Sequence, residues 1–390
     1  MRKQLLTVVA ATMIVTIGAA SGPAWADPPR NIRPAEFDAV GGGSQFTQYL
    51  FDQFSNDYNN AHPTHDAGHP YLYSFDAVNP STGVIGEKIN LKSDCMQFVR
   101  PYESSAAITL VGGGQETRDK KYYCFNYAES TRPRASSDPP YGPGGTAFVA
   151  LAGDAVTWAT HATTDAPKSL TMAQLNAIYT CTVTNWSQVG GKNAPVQPFL
   201  PQYGFSSDLN TFFLSAIGVT TPGPCVSNDN NTLVENEGVN PVLNSPEAIV
   251  PYSVANYIAQ KFHSASCSAT QCQPNDAPQC THSGGQNLFG CDVHGTMVLK
   301  EIDGVAPTTG TGTKTVINLG FPSSFDFTLY DVVPYDTGTA DRIPGPGNPR
   351  GGINLEQFFA ANGWTCKNAQ AIKDLKDYGF LTLPTCGTTS

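Results

Sequence analysis

The chain has 390 residues, a formal net charge of −10 at pH 7 and a pI near 5.1. Such an acidic chain is poorly suited to nucleic acid or to an anionic membrane surface, so we expect neither as a partner. The length allows a large core and one to three domains, and 37 glycines and 30 prolines predict many loops.

The first 26 residues have the three parts of a cleavable secretory signal. Arg2 and Lys3 precede an apolar run over residues 5–20, and Ala24-Trp25-Ala26 forms an A-x-A cleavage site. No cysteine stands near the cut, so we expect no lipid anchor, and no later segment is apolar enough to span a bilayer. We therefore predict an exported protein, secreted or held in the periplasm or at the cell surface.

Ten cysteines in an exported chain predict disulfides. We expect the pairs Cys95–Cys124, Cys181–Cys225 and Cys366–Cys386, with two more bridges inside residues 267–291, where three connectivities stay open. Zinc is the alternative in that region, but the spacing is not C-x-x-C, so disulfides are favoured. We expect no metal and no cofactor.

In the first part of the chain, strand patterns end where small polar residues begin. A strand over residues 37–40 runs into a glycine-rich loop at 41–46, and a helix over 47–58 follows. Further elements are a strand at 70–77, a helix from 106 to 111 and a strand at 122–127.

The second part repeats this alternation. Predicted elements are a strand at 147–158, a helix at 171–179, a turn at 185–187, a strand at 196–200, a helix at 209–217, a strand and helix over 248–258, strands at 316–320 and 329–333, and helices at 355–361 and 369–378. Strands that alternate with helices predict an α/β fold with mixed, mostly parallel sheets, and ligands bind beyond the carboxyl ends of such strands.

The polar loop at residues 203–208 opens the helix at 209–217. Backbone N–H groups and serine hydroxyls at the positive end of a helix suit an anion. The alternative is ordinary N-capping by Ser206, Ser207 or Asp208.

Two other stretches could be read as binding motifs, but each has a simpler structural interpretation. His62, His65 and His69, with Asp66, have a spacing that could present a metal, but two prolines favour a loose surface loop. The stretch at residues 310–315 resembles a phosphate loop without the glycine before its lysine, and we expect a polar hairpin. No H-E-x-x-H or G-x-S-x-G motif occurs.

The stretches LTMAQLNAIYTCTVTNWSQVGG, AIVPYSVANYIAQ and YGFLTLP resemble segments of the phosphate-binding proteins of bacterial ABC phosphate uptake, in an exported, disulfide-bearing branch. With gaps, the resemblance runs from about Phe37 to the C-terminus. It implies a two-lobe type 2 periplasmic-binding-protein fold that closes at a hinge over a tetrahedral oxyanion. The implied lobes are residues 27–147 with 255–390, the latter carrying an insertion at 264–291, and residues 148–254.

The resemblance also implies four anion loops. Their residues in this chain are Ser44, Gln45 and Phe46; Ser104 and Ser105; Ser130, Thr131 and Arg132; and Ser206, Ser207 and Thr211. The family has an acceptor aspartate after the serine of the third loop and an arginine in the fourth, and neither is evident here. Asp208 brings a negative charge instead, which would repel a dianion unless Arg100 or Arg132 offsets it.

We therefore expect a monomeric, non-enzymatic solute-binding protein that captures phosphate or a related oxyanion, and an ABC transporter permease is a possible partner. One rival is a secreted phosphatase-like enzyme that uses the same pocket, with metal ligands such as His62, His65 and Asp66. The other is a surface or adhesion protein that kept the fold and lost the pocket.

Overall fold

The computed structural model describes residues 27–28, 33–77, 79, 85–201, 207–228, 233–263, 281–282, 286–287, 294–336, 343–345 and 352–390. The predicted signal segment, Ser206 and the cysteines of the 267–291 region lie outside these residues. Within them, no helix has both the length and the apolar character needed to cross a membrane.

The described residues contain helices and strands in alternation along most of the chain. The helices are α1 (Gln48–Ala61), α2 (Ser104–Gly112), α3 (Met172–Tyr179), α4 (Asp208–Ala216), α5 (Val254–Phe262), α6 (Glu356–Phe359), α7 (Trp364–Lys367) and α8 (Ala369–Asp377). The strands are β1 (Ala39–Gly43), β2 (Leu72–Phe75), β3 (Lys88–Asn90), β4 (Gln97–Val99), β5 (Tyr127–Ser130), β6 (Thr146–His161), β7 (Ser169–Leu170), β8 (Gln197–Pro198), β9 (Ala248–Ser253), β10 (Thr281–His282), β11 (Gln286–Asn287), β12 (Met297–Leu299), β13 (Glu301–Ile302), β14 (Thr308–Thr309), β15 (Val316–Ile317), β16 (Asp326–Pro334) and β17 (Leu381–Thr382).

The main sheet has the strand order β2-β1-β5-β16-β6-β9-β8, and β12 and β17 also pair with β6. Strand β1 is parallel to β2 and β5, and β8 is parallel to β9. Every antiparallel pair in this sheet includes β6 or β16. We call β1, β2 and β5 with α1 and α2 the first half, and β8 and β9 with α3 and α4 the second half. The predicted α/β class is confirmed, with parallel strands inside each half.

The second half follows the sequence pattern closely. Helix α3 begins with a capping box: Thr171 Oγ1 accepts from the Gln174 N–H at 3.2 Å, and Gln174 Oε1 accepts from the Thr171 N–H at 2.8 Å. The predicted turn is a single 3₁₀ turn, Trp186–Val189, capped by Asn185. Trp186 is completely buried and stacks on Trp158 of β6, with 6.4 Å between the ring centroids. The buried ring of Trp186, stacked on Trp158, fixes how this turn packs on the sheet.

Two local predictions in the first half are wrong. The glycines at residues 41–43 belong to strand β1, not to a loop. A side chain at Gly41 would come within 2.4 Å of the Tyr127 ring, and one at Gly42 within 2.6 Å of the Phe75 carbonyl oxygen. Glycine is therefore needed here because neighbouring strands and rings pack against the backbone.

The predicted strand at residues 122–127 is the second wrong prediction, since β5 begins at Tyr127. The segment before it turns back on residues 115–117: the Thr117 N–H donates to the Tyr122 carbonyl and the Cys124 N–H to the Gln115 carbonyl, both at 2.8 Å. Strand β5 therefore starts later than predicted and ends at Ser130.

Three of the predicted disulfides are confirmed: Cys95–Cys124, Cys181–Cys225 and Cys366–Cys386. Bridges of this kind restrict the unfolded chain and suit an oxidising compartment. The polar hairpin predicted at residues 310–315 is also confirmed, between β14 and β15.

Candidate functional site

The N-terminus of α2 and the end of β5 form a group of hydrogen-bond donors in the first half. Thr131 directly follows β5, and its N–H donates to Ser104 Oγ at 3.0 Å. The two hydroxyl oxygens, Ser104 Oγ and Thr131 Oγ1, lie 3.3 Å apart. Both residues are buried. We call Ser104 and Thr131 the hydroxyl cradle.

The hydroxyl cradle holds the carboxylate of Asp208, the first residue of α4 in the second half. Asp208 Oδ2 accepts from Thr131 Oγ1 at 2.8 Å, from the Ser104 N–H at 3.2 Å and from Ser104 Oγ. Three donors thus meet at one anionic oxygen, at the positive end of a helix. The carboxylate of Asp208 therefore points toward the first half, where these donors bind it.

Helix α2 begins here because Glu103 caps it. Glu103 Oε2 accepts from the Ser105 N–H at 3.2 Å, and Oε1 from the Ala106 N–H at 3.0 Å. Glu103 therefore takes two of the free N–H groups of the first turn, and the Ser104 N–H remains for Asp208.

Arg132 supplies a positive charge beside the cradle. Its guanidinium makes two hydrogen bonds to Asp138, at 2.7 and 2.8 Å, and donates to Ser105 Oγ at 2.8 Å. The hydrogen bond to Asp138 raises the pKa of Arg132, and the nearby charge of Asp208 adds to the effect. Arg132 is thus close enough to offset part of the negative charge at the cradle, whereas Arg100 pairs with Asp27 and Glu87.

Ser130 lies next to the cradle without contributing its hydroxyl to it. Ser130 Oγ donates to the Arg132 carbonyl at 2.8 Å and accepts from the Arg132 N–H at 3.3 Å. This hydroxyl shapes the turn after β5.

The fourth predicted loop is only partly described, because Ser206 lies outside the described residues. Ser207 is the N-cap of α4: its hydroxyl accepts from the Asn210 N–H at 3.1 Å and donates to Glu235. Burial raises the pKa of Glu235 to about 8. Thr211 is exposed, and its hydroxyl donates to the Ser207 carbonyl at 2.9 Å, so it does not join the cradle.

The first predicted loop forms a separate contact. Ser44 Oγ accepts from the Phe46 N–H at 3.2 Å, and the Phe46 carbonyl accepts from the Asn256 side chain at 3.3 Å. Thr47, which follows, donates to Glu129 at 2.8 Å. These residues, with the buried Gln45, fix the start of α1 beside β5.

Glu129, Glu235 and Asp138 are polar residues of this region that sequence reasoning missed. Glu129 lies in β5, and its carboxylate accepts hydrogen bonds from the hydroxyls of Thr47 at 2.8 Å and Ser74 at 2.7 Å. Its signal in the sequence is a charged residue that directly follows Tyr127 and Ala128 and precedes Ser130. Nothing in the sequence links Glu235 to Ser207 or Asp138 to Arg132.

The histidines have separate local partners. His65 Nε2 lies 2.7 Å from Asp38, His69 Nδ1 lies 2.9 Å from Asp66, and His62 Nδ1 lies 2.8 Å from the Tyr58 carbonyl. Within the described part of the chain, no group of three or more His, Cys, Asp or Glu side chains is arranged to hold a metal ion.

The chain is similar to known proteins in one stretch of its sequence and in its fold. Residues 98–270 match the model of the PBP superfamily domain. No curated protein sequence matches the chain. An ABC-type phosphate transport receptor from Vibrio cholerae is similar in structure, with a TM-score of 0.51 and 15% identity over 89% of this chain and 100% of the receptor.

A second solved structure is a putative phosphate ABC transporter substrate-binding protein with bound phosphate, from Clostridium perfringens. It has a TM-score of 0.49 and 12% identity, and the match covers 89% of this chain and 99% of that protein. The superfamily match and the Vibrio cholerae structure confirm the predicted fold. The chain has the fold of the type 2 periplasmic-binding proteins, and residues 98–270 are similar to the PBP superfamily domain.

Proposed function

We propose that the chain is an exported solute-binding protein that captures phosphate, or a related oxyanion, between two lobes. The observation that carries the proposal is the convergence of two hydroxyls and one helix N–H on the carboxylate of Asp208. Donors arranged for one anionic oxygen from the opposite half are suited to the oxygens of a tetrahedral anion.

The lobe boundaries that we propose are those of the sequence: residues 27–147 with 255–390, and residues 148–254. Strand β6 links the two proposed lobes: it pairs with β16 over residues 146–155 and with β9 over residues 156–159, so the change of partner falls inside this strand, between residues 155 and 156. A hinge at β6 and β9 would let Asp208 and the cradle separate.

The Vibrio cholerae protein is a phosphate transport receptor, which makes phosphate the first ligand to test. Neutral donors can bind phosphate or sulfate, so the selection between them depends on charge and protonation at the cradle. We further propose that the protein acts as a monomer and delivers its ligand to an ABC transporter permease.

The test is calorimetry and thermal unfolding of the mature chain in phosphate-free buffer, with phosphate, sulfate and a sugar phosphate added separately. Phosphate should raise the melting temperature, because a ligand that binds only the folded state stabilises it. Ser215→Ala, a change at an exposed position on the same helix as Asp208, should respond to phosphate as the parent does. If no oxyanion at millimolar concentration shifts the melting curve, the proposed function is wrong.

A further inference from the structure

Asp208 uses the donors that a bound oxyanion would need. The Ser104 N–H, the Ser104 hydroxyl and the Thr131 hydroxyl all donate to Asp208 Oδ2. Each of these groups has a single proton, so none can donate fully to Asp208 and to a ligand together. At these donors, Asp208 and an oxyanion exclude each other.

The charges around the cradle favour the same exclusion. Glu103 caps the helix whose N-terminus holds Asp208, so a second carboxyl group already lies beside the donors of the cradle. The neighbouring cation is Arg132, which is already paired with Asp138. An oxyanion that entered while Asp208 stayed in place would add negative charge to this group without a new counter-charge.

Asp208 can leave without disrupting its own helix. The N-cap of α4 is Ser207, whose hydroxyl accepts from the Asn210 N–H at 3.1 Å. Asp208 itself is half-buried, so water can solvate its carboxylate when it turns away from the cradle. The helix start and the contact between the halves therefore depend on different side chains.

We propose that Asp208 is a built-in competing anion: it holds the two halves together in the absence of an oxyanion and must leave the cradle before one binds. This inference rests on the proposed function for the identity of the competitor. A protein whose binding-competent state is only partly populated binds with an affinity reduced by that fraction. Since charged hydrogen bonds are replaced, we expect Asp208 to weaken apparent binding by roughly ten- to a hundredfold.

Asp208 would thereby set the selectivity of the site. A small carboxylate anion that accepts three hydrogen bonds or fewer at the cradle binds no more strongly than the carboxylate of Asp208 that is already there. A tetrahedral anion with further oxygens can also reach other donors at the edge of the cleft, such as Ser105 Oγ, which now accepts from Arg132. The site should therefore discriminate in favour of ligands with more than two acceptor oxygens.

The experiment uses the full mature chain as the parent, with Asp208→Ala, Asp208→Asn and the control Ser215→Ala, a change at an exposed position of the same helix. Phosphate should bind Asp208→Ala roughly ten- to a hundredfold more tightly than the parent. Acetate at millimolar concentration should raise the melting temperature of Asp208→Ala, since a free carboxylate can occupy the position of the missing one. Acetate should leave the melting temperatures of the parent and of Ser215→Ala unchanged.

The radius of gyration from small-angle scattering gives an independent measurement. Without added anion it should be larger for Asp208→Ala than for the parent, and acetate should reduce the difference. Asp208→Asn keeps the size and one acceptor oxygen, so it tests the charge alone if the alanine variant is poorly folded; it should bind phosphate more tightly than the parent.

The outcomes separate this inference from the proposed function. Acetate rescue of Asp208→Ala without phosphate binding to any variant would support the role of Asp208 and refute phosphate capture. Phosphate that binds the parent, Asp208→Ala and Asp208→Asn equally would support capture and overturn the competing-anion role. Weaker phosphate binding by both Asp208 variants would also overturn it, because Asp208 would then be a ligand-binding residue.

Discussion

Two carboxylates near the end of β5 are each held by two hydroxyl groups, yet their surroundings differ. Glu129 accepts from Thr47 at 2.8 Å and Ser74 at 2.7 Å, and all three groups are buried inside the first half. Asp208 accepts from Ser104 and Thr131, and also from a helix N–H, but it comes from the second half.

The difference shows what hydroxyl donors can and cannot do. Burial raises the pKa of Glu129 to about 8, although the hydrogen bonds from Ser74 and Thr47 act in the opposite direction. Two neutral donors therefore do not compensate for removal of a carboxylate from water. At the cradle, Asp208 also accepts a hydrogen bond from the Ser104 N–H at the N-terminus of a helix, and the positive charge of Arg132 is nearby. Glu129 is a fixed part of the core, and Asp208 is the carboxylate that we propose a ligand replaces.

The largest expected effect concerns Glu129 and pH. Its folded-state pKa lies above the ordinary value of 4.5, so the folded protein holds this proton more tightly than the unfolded chain. Stability from this group is complete below about pH 4.5 and is lost progressively up to about pH 8. Glu129→Gln should remove this loss, on the order of 3 kcal/mol, in urea unfolding measured at pH 5 and pH 8.

The Thr211→Ala variant is the control, because it should show the same fall in stability between pH 5 and pH 8 as the parent. Glu235 and Asp154, whose pKa values burial raises to about 8 and about 7, contribute a common background to all variants. A Glu129→Gln protein with the same pH dependence as the parent would contradict the assignment of a protonated Glu129.

The next effect concerns the donors of the cradle. Ser104→Ala should weaken phosphate binding by roughly ten- to a hundredfold when it is introduced into Asp208→Ala, as calorimetry would show. In the parent, the same substitution should have a smaller effect, because it weakens the hold on Asp208 as well as on the ligand. Equal losses in the two backgrounds would mean that Asp208 and phosphate do not share this donor.

A smaller effect on phosphate affinity is expected at Ser130, which the family resemblance implies as an anion-binding residue. Its hydroxyl donates to the Arg132 carbonyl at 2.8 Å. Ser130→Ala should therefore reduce phosphate affinity by less than about fivefold, since a loss near 1 kcal/mol is typical of a neutral hydrogen bond. A loss as large as that of Ser104→Ala in the Asp208→Ala background would show that Ser130 turns toward the ligand.

The smallest effect is expected at Thr211. Its exposed hydroxyl bonds to the helix backbone, so Thr211→Ala should change the free energy of unfolding by less than about 0.5 kcal/mol. Phosphate affinity should also stay the same, as the same titrations would show. A clear loss of affinity would restore Thr211 to the binding site.

Local sequence rules predicted the elements of the second half well. Thr171 and Gln174 form the capping box that α3 needs, and Asn185 opens the turn at Trp186. Such signals depend on residues three or four apart, which a single sequence displays. The same rules failed at Gly41 and Gly42, because the need for glycine there comes from Tyr127 and Phe75, which are distant in sequence.

The candidate site was predictable in part. The family resemblance implied Ser104 and Thr131 as anion-binding residues, and the structure brings their hydroxyl oxygens within 3.3 Å of each other. The direction of Asp208 could not, because it depends on how two halves of the sheet face each other across more than 70 residues of chain. The burial of Glu129 likewise depends on Thr47 and Ser74, which reach it from two other segments.

A crystal structure of the mature chain grown with phosphate tests the central claim most directly. We predict phosphate oxygens within hydrogen-bond distance of Ser104 Oγ and Thr131 Oγ1, with the Asp208 carboxylate turned out of the cradle. Asp208 still bonded to both hydroxyls while phosphate is bound elsewhere would contradict it.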